Sequence, residues 1–192
     1  VKKFKEILLF PVLCFMFFMC GTVSAKNIST VSTEYNGALT LIPNVYVQHQ
    51  FVNVTYDDNS TARYAAYCFE SNKLEYQSTT NLHLTENITD VGYFYISEHG
   101  YQTNHAATFS GATGTEATDY YITQMALWWY QDLVNGVPDS SSGSLEALFK
   151  NGTYSGDSKT IHDAIKSFAY AAKSYHDTGK TIDTSSATIS LL

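Results

Sequence analysis

Two side chains in this 192-residue sequence join a reactive type to an unusual setting. Cys68 stands in "YAAYCFE" between Tyr67 and Phe69, and Gln124 stands in "YYITQMALWWY". A thiolate is a strong nucleophile, so Cys68 could attack an acyl carbon, with a downstream histidine as base if it served a cysteine hydrolase. No recognisable hydrolase motif surrounds it. A metal site fits worse, because beyond Cys14 and Cys20 in the apolar N-terminal run there is a single cysteine, and with scattered histidines it has no ligand spacing. The plain alternative is a small buried hydrophobe. Helical residues three or four apart share a face, which stacks Gln124 with Tyr120, Tyr121, Leu127 and Trp128. A carboxamide on such a face is costly to bury unless its groups are used. Its plain role is to satisfy a buried backbone group, and the pattern alone leaves both residues open between inert and reactive.

The six histidines supply candidate bases. His99 and His105 flank the loop ahead of the glutamine and could relay a proton, although such residues are more often ordinary loop polars. His49 and His83 lie in strand-like stretches with nothing to mark them. His162 and His176, on the last helix, are expected to be solvated.

The elements that must position Cys68 and Gln124 follow from periodicity. "ALTLI" (38–42) and "VYVQHQFVNVTY" (45–56) read as strands. The apolar parity of the second switches after Phe51, which predicts a bulge or bend near Phe51–Val52. "DDNST" (57–61) is a turn, and "RYAAYCF" resumes as a strand carrying Cys68 near its end. A short helix is expected over about 89–98, stopped by Gly100. After a loop at 102–114, Thr115 can cap a long helix that ends at Asn135–Gly136 and carries Gln124. "SLEALFK" makes a short helix and "DSKTIHDAIKSFAYAAKSYHDTGK" a longer one. In the latter Ile161, Ile165, Phe168, Ala169, Ala172 and Tyr175 form a buried stripe. "TIDTSSATISLL" reads as a turn and the start of a strand. Strands first and helices after predict an α+β fold, a β-rich N-terminal part packed against a helical part.

Lys2, Lys3 and Lys5, an apolar run over 7–20 and the small residues "VSA" read as a signal peptide over 1–25, cleaved after Ala25. The run is shorter than the roughly 20 residues of a membrane span, so a membrane is met only during export. Residues 26–192 suffice for one domain. Removing three lysines and Glu6 takes the net charge from −7 to −9. An acidic chain without a basic block excludes nucleic acid as a natural partner.

"AYCFE" followed by "YITQMALWWY" resembles the thioester domain of Gram-positive bacterial surface adhesins, which pairs a cysteine with a later T-Q-x-A-x-W motif. "SEHGYQTN" and the "EATDYYITQ" approach are also similar. By this resemblance Cys68 is the thioester cysteine and Gln124 the carbonyl donor, with Thr123, Ala126 and Trp128 as supporting positions. The implied function is a secreted or cell-wall adhesin module, not an enzyme. It would bind a host or matrix protein covalently when a lysine amine attacks the Cys–Gln thioester, without metal or cofactor. The alternative is a non-covalent, β-rich surface domain with an inert cysteine. The family adds further β structure where this chain stops, so a single thioester domain over 26–192, truncated at its C-terminal strands, is expected.

Overall fold

The alternation that starts at Val45 builds the middle strand of a three-stranded antiparallel sheet, ordered β1-β2-β3. The computed structural model describes residues 26–69, 71 and 89–180. The expected leader (1–25), His83 and the expected strand start at 181–192 lie outside the described residues. β1 runs Ile28–Ile42, β2 Val45–Tyr56 and β3 Thr61–Ala66. β1 begins ten residues before "ALTLI": its Thr- and Ser-rich first half suits an edge strand whose outer side faces water.

Burial along β2 follows Val47, His49 and Phe51 and then moves to Val54, so the parity switch is real. The predicted bulge is not where the switch occurs. β2 pairs with β3 in unbroken register from Gln50↔Ala66 to Thr55↔Thr61. The irregularities lie in β1, one of them between Tyr35 and Ala38, where Gly37 takes a φ of 87°. Glycine alone adopts that conformation without steric cost, which lets the extra residue sit in the edge strand.

Among the described residues four helices follow: α1 (Val91–His99), α2 (Glu116–Val134), α3 (Ala147–Lys150) and α4 (Gly156–Asp177). The Asp90 carboxylate caps α1 by accepting from Gly92 N at 2.8 Å and Tyr93 N at 3.1 Å. Gly100 ends α1 as expected, but not in a left-handed conformation, since its φ is −75°. A side chain there would place Cβ 2.5 Å from both the Ile96 carbonyl and Thr123 Cγ2, so glycine is required by close approach to α2.

α2 is the core of the molecule. From Asp119 to Tyr130 every residue is buried, because the helix packs on α1, on α4 and on the sheet at once. Thr115 occupies its N-cap position, yet the Thr115 hydroxyl makes no cap bond. Asp119 organises this end instead: its carboxylate accepts from Thr113 N (2.7 Å), Thr113 Oγ1 (2.9 Å) and Gly114 N (2.8 Å). Gly136, at φ 68°, closes the other end as anticipated.

On α4 the stripe Ile165, Phe168, Ala169 and Ala172 is buried, with Ile161 and Tyr175 at its margins. His162 is buried rather than solvated, its Nε2 at 3.1 Å from the Phe149 carbonyl and its ring against Trp129 and Phe149. His176 is half-buried and held by Asp90 (3.1 Å) and the Tyr130 hydroxyl (2.9 Å). An antiparallel sheet followed by a helical part makes the fold α+β.

Candidate functional site

Tyr120, Gln124 and Trp128 recur every four residues on α2, so they form one row along its surface. That row meets the chain as it leaves β3. The Tyr120 hydroxyl accepts from Gln50 N at 3.1 Å and lies at 3.0 Å from the Gln48 carbonyl, reaching the Ala66 carbonyl as well. It thereby pins β2 and the last residue of β3 to the helix. Cys68 is not in the strand, as the sequence suggested, but two residues beyond it. Released from the ladder, its peptide groups turn to α2. Cys68 N–H donates to Gln124 Oε1 at 2.7 Å, and Gln124 Nε2 donates to the Cys68 carbonyl at 2.8 Å. Trp128 Nε1 donates to the same carbonyl, also at 2.8 Å. Gln124 is 1 % exposed, and this reciprocal pair accounts for both ends of its carboxamide.

Residues 65–172, more than half of the chain, match the thioester domain family. The chain belongs to that family. Both Cys68 and Gln124 fall within the matched span. No curated protein and no solved structure matches the chain. Thioester domains generally link covalently to amine groups of partner proteins, and this one is a thioester-bearing module.

In this thioester domain the neighbours of the two residues are tied together through Tyr101. Thr123, beside Gln124, accepts from Tyr101 N at 2.9 Å and donates to the Asp119 carbonyl at 2.7 Å. Tyr67, beside Cys68, donates its hydroxyl to the Tyr101 carbonyl at 2.5 Å. One residue of the loop after α1 thus braces both segments, through its N–H and its carbonyl. Burial holds the Tyr67 phenol well above its ordinary pKa, so it stays a neutral donor. Tyr67 also stacks on Tyr120, with centroids 5.0 Å apart. On the other side of Cys68, Phe69 meets Tyr93 edge-on at 4.9 Å, and Tyr93 meets Tyr130 the same way. Ala126, two positions from Gln124 and so about 200° around the helix, is wholly buried in the core.

Thr123 is therefore committed to bracing and is not a donor to the carboxamide oxygen; the group at that oxygen is the Cys68 backbone N–H. A carbonyl oxygen facing a fixed N–H is poised for negative charge to develop on it, as in an oxyanion hole. Of the candidate proton carriers, His99 Nδ1 pairs with Thr108 Oγ1 at 2.8 Å, and His105 Nε2 lies 3.3 Å from the Glu98 carbonyl. Neither histidine bonds to Gln124.

The histidine that lies against this row is His49, which the sequence left unmarked. It is 3 % exposed, with its ring 4.6 Å from Phe51 and 4.5 Å from Tyr120. Asn36 Nδ2 lies 3.4 Å from Nδ1, which places the ring proton on Nε2. That atom makes no hydrogen bond; Glu116 Oε1 is 3.6 Å away. Burial lowers the His49 pKa, against the opposing pull of Glu116. Among the described residues, no three His, Cys, Asp or Glu side chains could hold a metal ion.

Proposed function

We propose that this domain captures an amine-bearing partner protein covalently, through a thioester between Cys68 Sγ and Gln124 Cδ. The observation that carries the reading is the reciprocal hydrogen-bonded pair between the Cys68 peptide and the Gln124 carboxamide. It holds an amide that would ordinarily resist attack against the residue bearing the thiol, which is how proximity lowers the barrier. The thiolate adds to Cδ, and the charge that forms on Oε1 is met by Cys68 N–H. The C–N bond then breaks, Nε2 takes up the proton given up by the thiol, and ammonia leaves. Departure of Nε2 removes one donor from the Cys68 carbonyl, but Trp128 Nε1 continues to satisfy it. The product side therefore has no orphaned backbone acceptor.

An incoming lysine amine attacks the same carbonyl carbon. The C–S bond breaks, the thiol is regenerated, and Gln124 becomes an amide of the partner. Each molecule reacts once, so the domain acts as a single-use binding module and not as an enzyme. A signal peptide and a covalent mode of attachment fit an adhesin exported to a bacterial surface, with a host or matrix protein as the target. The half-buried position of Cys68 supports access for an amine, while Tyr67, Phe69 and Trp128 limit access for water.

Intact mass of the freshly folded protein tests the reading. For the mature chain, residues 26–192, it should lie one ammonia below the sequence mass, with the Cys68 thiol not titratable until methylamine is added, after which the mass rises by one methylamine. A full sequence mass with a titratable thiol would overturn it.

A further inference from the structure

The i, i+4 row that contains Gln124 begins one step earlier, at Glu116, where a groove of about 520 Å³ opens beside it. Tyr64, Tyr101, Thr103, Asn104 and Arg63 complete its polar lining. Charge in this groove is unevenly answered. Arg63 is spent on Glu34, with Nη2 at 2.7 Å from Oε1 and Nε at 3.3 Å from Oε2, and its guanidinium covers the Phe51 ring at 3.3 Å. Glu116, 45 % exposed, has a neutral donor, the Tyr101 hydroxyl at 2.9 Å. The base nearest to it is His49, and burial keeps that ring uncharged at neutral pH. Among the described residues lining the groove, Glu116 is thus a carboxylate whose charge no base cancels, and Tyr64 and Tyr101 share the lining with it.

We infer that this groove is a subsite for a cationic side chain of the partner, arginine above all, lying three to four residues from the lysine that is captured. The inference rests on the capture reading and specifies its substrate. Glu116 and Gln124 are two helical turns apart, about 12 Å along the axis. An extended peptide covers that distance in three to four residues at about 3.3 Å each. Arginine suits the lining better than lysine. Its planar guanidinium stacks on tyrosine and offers paired donors to a carboxylate, whereas an ammonium is a point charge. The peptide would cross Tyr101, the residue that also braces the segments bearing Cys68 and Gln124.

The test uses the full chain and synthetic peptides with one lysine. An arginine, or its neutral isostere citrulline, is placed at offsets of one to six residues, and the initial rate of adduct formation is read by mass spectrometry. In the wild type at low salt, arginine at offsets three and four should exceed citrulline by about three- to fivefold, the range of a half-exposed ion pair. The advantage should fade at high salt. In Glu116→Gln the arginine-to-citrulline ratio should fall to about one, and any general slowing of that variant cancels in the ratio. A ratio of one in the wild type, an optimum at offset one, or a ratio retained in Glu116→Gln overturns the subsite. Methylamine separates the two ideas. If methylamine couples while the peptides show no preference, only the subsite fails; if methylamine does not couple, the capture reading fails and the subsite with it.

Discussion

Two of the buried polar junctions that fasten α2 to the loops around it are built to opposite ends. Near its middle, Gln124 and Trp128 hold the Cys68 peptide through neutral hydrogen bonds, and Cys68 itself is only half-buried. Near its C-terminal end, Asp132 accepts from Ser144 N (2.5 Å), Leu145 N (3.2 Å) and Lys150 Nζ (2.9 Å). The side chains of that ion pair are 0 % and 2 % exposed. The Asp132 junction is sealed and charged, so it fixes the 137–150 segment and nothing else can reach it. The Gln124 junction is satisfied without charge, and its cysteine stays within reach of solvent. Chemistry can therefore be located at the Gln124 junction without disturbing the Asp132 junction.

The largest expected effect separates the two by function. Cys68→Ala and Gln124→Ala should each abolish amine adducts entirely, yet both proteins should fold, because the reaction needs preformed geometry and cannot create it. Adduct formation by Gln124→Ala in a gel-shift or mass assay would show that a different acyl group reacts.

Next in size is the sealed junction. Lys150→Met leaves Asp132 buried without its cation and should cost about 3–5 kcal/mol in a denaturant melt. Whatever fraction of that variant remains folded should still react with methylamine, because the Gln124 junction is separate.

Trp128→Ala acts on the reactive junction itself. Loss of the buried ring should cost about 3–5 kcal/mol, and loss of its N–H donor leaves the Cys68 carbonyl short of a partner once ammonia has gone. The thioester should form poorly or hydrolyse fast, read as a small mass deficit beside a lowered melting temperature. A stable thioester in a less stable protein would limit Trp128 to packing. Thr123→Val is milder. It keeps the shape but leaves the Tyr101 N–H unsatisfied, at about 1–3 kcal/mol. Thioester formation should slow more than the melt alone would explain.

The smallest effect is on pH dependence. Burial lowers the pKa of His49 and of His162 from the ordinary 6.5. Just below that value the unfolded chain binds more protons than the folded one, so stability is full above about 6.5 and is lost as the pH falls through the folded pKa values. Thermal melts should drop between about pH 7 and pH 5, and His49→Phe should flatten part of that slope. An unchanged slope would show that His49 is not protonated on unfolding.

Much of this architecture was legible in the residues. α2 was delimited by Thr115 and Asn135–Gly136 and α4 by its helical spacing, because those signals are local and a helix is a local structure. The β2 parity switch was visible, but the bulge was misplaced, since Gly37 in the partner strand hosts it and one strand's pattern does not describe its neighbour. Cys68 and Gln124 stood out as a thiol and a carboxamide in aromatic company, and the T-Q-x-A-x-W likeness named the family that the comparison matches.

What only the tertiary structure decided is which groups meet. Cys68 N–H faces Gln124 Oε1 across 56 residues of chain, and Tyr101 braces Thr123 across 22 and Tyr67 across 34. His49 shares the apolar parity of Val47 and Phe51, but that it packs against Tyr120 was not legible, and Asp119 rather than Thr115 organises the start of α2. Periodicity reports which side of an element is apolar. The choice of partner for a buried polar group depends on how separate elements dock, and that is a property of the packed whole.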